Sequence, residues 1–248
     1  MLNILYRNMK WRVQNPITIV ITLIQPILWM VLYGTVGANS MHSTISNYNA
    51  FILPGIMVLV TFSACCSGGI INYIMKNNAS FYRVLISPVK RVSVVSGQAL
   101  ETVILSFIEI SVLMAVSLFF SVRVPSDPLS FLSMLIILFL TAFFLSCLTY
   151  TMSLLLPNEV VYETVMNAIV LPTFFLSSAL FPSETLSKNL YIVIYLNPFS
   201  HVINILRKIL MNEPFPAREF FSVSLLLLIL CIITFSCALY RLKKETAK

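Results

Sequence analysis

Six apolar runs, at about residues 17–38, 51–75, 100–122, 129–156, 165–181 and 220–240, leave this chain few folds. A helix needs about 17–25 apolar residues to cross the hydrocarbon of a bilayer, and each run meets that length. Hydrophobic residues make up 58% of the chain and charged residues only 10%, with a mean hydropathy of +0.92. Soluble domains carry about 25% charged residues, so this composition belongs in lipid. The expected fold is an all-α integral membrane protein with six transmembrane helices and both termini on one side. The first run is too long for the apolar core of a signal peptide and lacks a compact small-residue cleavage site, so it reads as a retained helix.

Eleven of the 16 Lys and Arg residues fall on the side of the termini, which places both termini in the cytoplasm. The net charge of +7 therefore reads as a topology signal, with no basic stripe in a soluble segment to meet nucleic acid. Residues 1–15 form an amphipathic helix at the inner leaflet, with Leu2, Leu5, Tyr6, Met9 and Val13 on one face and Asn3, Arg7, Lys10 and Gln14 on the other. The alternative is a solvated flank that anchors the first span. Cys65, Cys66, Cys147, Cys231 and Cys237 all lie in apolar runs without acids or histidines at ligand spacing, so they read as small buried hydrophobes and no metal is expected.

Between the fifth and sixth runs the chain breaks twice. The fifth run ends at Pro182-Ser183-Glu184, and a short run, 190–196, stops at Asn197-Pro198. The short run cannot span, so 182–212 is expected to dip into the membrane and return, or to lie at its surface. In the cytoplasmic loop 76–96, Asn77 to Ser80 signal a helix start, and Phe81, Tyr82, Leu85 and Ile86 recur at helical spacing until Pro88. Its aromatic face has nothing in its own loop to pack on. It is expected to dock on a soluble partner, the alternative being a helix held at the membrane surface by lipid phosphates.

Glu101 and Glu109 lie in the third run, eight residues apart on one side of the helix. Glu101 is near enough to the cytoplasmic edge to snorkel, whereas Glu109 is deeper. An intramembrane carboxylate costs about 2.5–3.5 kcal/mol to insert, so each either lines a pathway for a cation or proton or bonds a neighbouring helix. The connection 157–163, with Glu159 and Glu163, reads as a tight cytoplasmic turn. Pro26, Pro54-Gly55 and Gly68-Gly69 mark places where helices bend or approach closely.

The stretch LPTFFLSSALFPSETLSKNLYIVIYLNPFSHVINILR resembles the C-terminal signature of ABC-2 type export permeases, the membrane subunits of one class of ATP-binding-cassette exporters. Its landmarks here are Pro172, Phe175, Ser177, Ala179, Phe181, Pro182, Asn197, Pro198 and Arg207. The resemblance runs over nearly the whole chain and is nearest to the drug-resistance branch. It implies the ABC-2 exporter fold for residues 16–248 and a coupling helix within the cytoplasmic loop 76–96, with Ser80, Phe81, Tyr82, Arg83, Leu85 and Pro88 meeting an ATPase subunit. Lys76 to Ser80 depart from the acidic, glycine-containing stretch frequent there. It further implies a homodimer, or a heterodimer with a similar permease, in a bacterial plasma membrane, with ATP and Mg bound by the separate ATPase and no cofactor in this chain.

The sequence contains no G-x-x-x-x-G-K-S/T element, no G-x-S-x-G and no H-E-x-x-H. The expected role is transport without an ATPase site of its own, moving a drug-like, lipid-like or peptide substrate outwards. Three other readings stay open: a proton- or ion-coupled secondary transporter using Glu109, a polysaccharide or teichoic-acid exporter permease of the same architecture, and a membrane enzyme acting on lipid.

Overall fold

The structure, a computed structural model, describes residues 2–14, 16–41, 48–77, 89–120, 122, 125, 127–180 and 188–245. Among these, all regular structure is helical: α1 (Leu2–Gln14), α2 (Pro16–Met41), α3 (Tyr48–Asn77), α4 (Arg91–Leu118), α5 (Pro128–Leu155), α6 (Glu159–Phe175), α7 (Lys188–Leu196), α8 (Pro198–Leu210) and α9 (Ala217–Glu245). Four helices, α3, α4, α5 and α9, are long and apolar enough to cross a membrane, and the bent pair α7–α8 could count as a fifth.

That count differs from the six expected runs for identifiable reasons. The first run lies within α2, whose described apolar piece is Val20–Leu32. The fifth run is displaced: α6 begins at Glu159, six residues earlier than expected, and has 17 residues, a length of about 25 Å. Asn158 supplies the reason, because its side-chain oxygen accepts the Val161 N–H at 2.8 Å and caps the helix there. The residues from Glu159 to Glu163, expected in a turn, therefore open α6. The third run also shifts, since α4 starts at Arg91 inside the expected cytoplasmic loop. The residues expected to couple to an ATPase, from Ser80 to Pro88, lie outside the described residues.

Helix α3 is the central element, with 78% of its apolar window buried, whereas α9 is peripheral at 22%. Apolar side chains stand outward on α2, α6, α7 and α9, among them Ile21, Val160, Leu196 and Phe221. Such surfaces fit a hydrocarbon surround rather than water. A second, smaller core forms at the end of the bundle where α4 begins, joining Ile4 of α1, Val94 and Val95 of α4, Tyr150 and Leu154 of α5, and Ala238 and Leu242 of α9. At the opposite end Asp127 caps α5, its carboxylate accepting the Ser130 hydroxyl at 2.9 Å and the Ser130 N–H at 3.1 Å. Those two bonds hold the Asp127 carboxyl below the usual range.

Between apolar helices close backbone approach takes the place of hydrophobic driving force, and small residues permit it. Gly69 of α3 faces the Tyr162 ring of α6, whose hydroxyl donates to the Cys66 carbonyl at 3.1 Å. A methyl group at Gly69 would fall on that hydroxyl and within 3.2 Å of the Thr149 carbonyl oxygen. Gly69→Ala is expected to destabilise by about 1–3 kcal/mol, read as the thermal unfolding midpoint in detergent. Combined with Tyr162→Phe, its cost should be less than the sum of the two single costs.

Candidate functional site

Of the two breaks foreseen, the one at Pro182-Ser183-Glu184 lies outside the described residues, and the one at Asn197-Pro198 is a bend of 84° between α7 and α8. Pro198 has no N–H and pushes the preceding residue into extended backbone, where Asn197 has φ −76° and ψ 116°. Asn197 then caps α8, its oxygen accepting the Phe199 N–H at 3.0 Å. A break within apolar surroundings also strands carbonyls, which hydrocarbon cannot satisfy. The same side chain meets that need, its amide donating to the carbonyls of Thr173 at 2.7 Å and Leu176 at 3.0 Å, at the end of α6.

Arg207, three turns along α8, completes the seal. Its guanidinium donates to the carbonyls of Ser178 at 2.5 Å and Ala179 at 3.5 Å, and to that of Phe51 on α3 at 3.0 Å. It lies 3.6 Å from the centroid of the Phe51 ring, a cation–π contact. Tyr48 donates its hydroxyl to the Leu180 carbonyl at 3.3 Å. Ser177 folds onto its own turn, donating to the Phe174 carbonyl at 2.5 Å and accepting the Ala179 N–H at 3.2 Å. Gly55 makes room for this turn, since a methyl group there would meet the Ala179 Cβ at 2.7 Å and its Cα at 3.0 Å. Thus Ser177, Ala179, Asn197, Pro198 and Arg207 converge on one structure. Pro172 lies inside α6, Phe175 is half exposed beside it, and Phe181 and Pro182 fall outside the described residues.

The two carboxylates of α4 are both buried. Glu101 does not snorkel: Arg12 of α1 forms an ion pair with it, and both side chains are 1% exposed. Gln98 donates to the second Glu101 oxygen at 3.3 Å and accepts from Asn8 of α1 at 2.8 Å, while Arg12 reaches the Ser67 hydroxyl of α3 at 3.4 Å. The N-terminal helix therefore has a third face, Ile4, Asn8 and Arg12, buried against the bundle. Periodicity missed it because Asn8 and Arg12 belong to neither of the two expected faces; their spacing of four was the available signal. Leu2, Tyr6 and Val13 remain exposed. Glu109 accepts the Thr22 hydroxyl of α2 at 2.7 Å, and its other oxygen has no hydrogen-bond partner among the described residues.

An open cleft of about 120 Å³ lies between α2, α3 and α6. Pro26, Trp29, Leu59, Val60, Val170 and Leu171 give it apolar walls, and Gln25, Ser63 and Asn167 place three polar groups along them. That mixture of apolar wall and polar groups suits part of an amphiphilic guest. Gln25 and Asn167 were legible in principle, as lone amides inside apolar runs. No group of three or more His, Cys, Asp or Glu able to hold a metal occurs among the described residues.

The seal predicts unequal losses. Asn197→Ala removes the α8 cap and leaves two carbonyls unpaired, an expected cost of about 2–4 kcal/mol. Arg207→Lys keeps the charge but loses the planar fork, at about 1–3 kcal/mol. Thermal unfolding in detergent should rank Asn197→Ala below Arg207→Lys, and both below the parent.

Comparison with known proteins fits this geometry. A family model described as ABC-2 type transporter matches residues 1–211. A protein of Cyanophora paradoxa named "Putative transport permease ycf38" is 25% identical over 245 residues, covering 95% of this chain and 84% of its own. Proteins of the same name from Porphyra purpurea and Pyropia yezoensis are 29% and 26% identical, covering 84% and 78% of this chain and 72% and 67% of theirs. With the family match extending from the first residue through α8, this chain belongs to the ABC-2 type transporter family.

Proposed function

We propose that this chain is the membrane-spanning subunit of an ATP-binding-cassette exporter, working as a dimer with a separate ATPase and moving drug-like or lipid-like amphiphiles out of the cytoplasm. The observation that carries the reading is the cleft between α2, α3 and α6, apolar along its walls and marked by Gln25, Ser63 and Asn167. An amphiphile gains there by leaving water without giving up all hydrogen bonding. Membership of a family whose permeases normally work with an ATPase subunit supports the partner.

In this reading the energy enters through the loop between α3 and α4. The ATPase engages Ser80, Phe81, Tyr82, Arg83, Leu85 and Pro88, and its closure moves the adjoining ends of α3 and α4. The exposed apolar faces of α2 and α6 flank the cleft, so a second permease copy across it would enclose the guest. The α7–α8 break forms the outer closure, two short helices that can part from each other without unwinding a full span. Leu2, Tyr6 and Val13 of α1, with Arg7 and Lys10, rest on the inner leaflet.

The test joins assembly to transport. Co-expressed with candidate ATPases and purified in mild detergent, the parent chain should retain an ATPase whose hydrolysis rises with amphiphilic compounds. Phe81→Ala and Tyr82→Ala should each weaken that retention by about tenfold or more, the effect of truncating an interface anchor. A parent chain that never retains an ATPase, or Ala variants that transport normally, would refute the proposal.

A further inference from the structure

We infer that α4 drives the cleft wall formed by α2 through two buried ties to the α1–α2 arm, Glu101 to Arg12 and Glu109 to Thr22, which makes Arg12 and Thr22 positioning residues for transport. The inference rests on the proposed exporter reading and adds to it a route for the motion.

The route follows from which elements the ties join. Helix α4 begins at Arg91, and residues 78–90 join it in sequence to the end of α3. A displacement delivered at that connection acts on the start of α4, and Glu101 lies on its third turn, fully enclosed with Arg12. The pair is not isolated, since Gln98 and Asn8 extend it and Ser67 accepts from Arg12. Separating Arg12 from Glu101 would leave two bare charges in a water-excluded place, so α1 must follow α4. Only residue 15 separates α1 from α2, which leaves little slack between them.

The second tie acts directly on α2. Glu109 is eight residues beyond Glu101, about 12 Å along α4, and is wholly buried where it accepts the Thr22 hydroxyl. Thr22 precedes Gln25 and Pro26 by three and four residues, and Gln25, Pro26 and Trp29 line the cleft. Two ties at two levels fix both the position and the tilt of the arm relative to α4, where one would act as a pivot. A purely structural need for hydrogen bonding would be met by α4 bonding any neighbour. Here both carboxylates instead reach the same arm, one through α1 and one through α2.

The experiment uses the assembled permease–ATPase complex and a reporter at the cleft. In Gln25→Cys, the labelling rate of the introduced thiol by N-ethylmaleimide, followed by peptide mass spectrometry, is compared with and without a non-hydrolysable ATP analogue. The rate should differ by at least about threefold between the two states, and Thr22→Val or Arg12→Lys should remove that difference while ATPase retention persists. Thr22→Ser should restore it. No nucleotide-dependent difference in Gln25→Cys, or one that survives Thr22→Val unchanged, overturns the inference. Should Arg12→Lys fail to assemble, the Thr22→Val and Thr22→Ser pair decides, because the valine is near-isosteric and lacks the hydroxyl that the serine keeps. A parent chain that retains no ATPase fails earlier and overturns the exporter reading itself, and this inference with it.

Discussion

Hydrocarbon offers no partner to a peptide group, so every carbonyl and N–H within it must be met by the chain itself. An unbroken helix meets this need without help; a broken one does not. The segment from α6 to α8 is broken twice, and its stranded carbonyls at Thr173, Leu176, Ser178, Ala179 and Leu180 all receive side-chain donors from Asn197, Arg207 and Tyr48. The residues that give the segment its recognisable signature are largely those that make a break tolerable in lipid. Recognition and stability thus share one cause, and a closure built from short helices becomes possible at that end of the bundle.

The opposite end depends on charge. Burying Arg12 and Glu101 together is costly unless the pair is close and the remaining polar atoms are engaged, which Gln98, Asn8 and Ser67 accomplish in part. The resulting network, together with Ile4, fixes α1 to the bundle while Leu2, Tyr6, Arg7, Lys10 and Val13 stay outside. A helix expected simply to lie on the membrane is therefore also a member of the tertiary structure. Between the two ends, α3 supplies the buried axis against which α2, α4, α5, α6 and α8 pack, with Gly55 and Gly69 setting how near α6 and its following turn can come.

Much of this was legible before any coordinates. The apolar runs announced a helical membrane protein, the Pro and Asn punctuation at 197–198 announced the bend, and the order of Ser177, Ala179, Asn197 and Arg207 announced the family. Boundaries were less legible. Hydropathy marks where a helix is apolar and not where it is hydrogen-bonded, so α4 and α6 both begin earlier than their apolar runs, in residues polar enough to resemble loops. The cap at Asn158 was the local signal for α6, and nothing comparable marked Arg91, whose preceding Lys90 makes no side-chain cap.

Composition and periodicity by themselves settled that the chain is helical, belongs in lipid and carries an interrupted segment before its last helix, because solvation by hydrocarbon acts on each residue regardless of its neighbours. The tertiary structure alone decided which partners the polar residues take. Glu101 turned from an edge carboxylate into half of a buried ion pair and Glu109 found Thr22, pairings that join residues 89 and 87 positions apart. A hydrogen bond or ion pair of that kind exists only once packing has brought its two ends within about 3 Å, and no one-dimensional pattern encodes that distance.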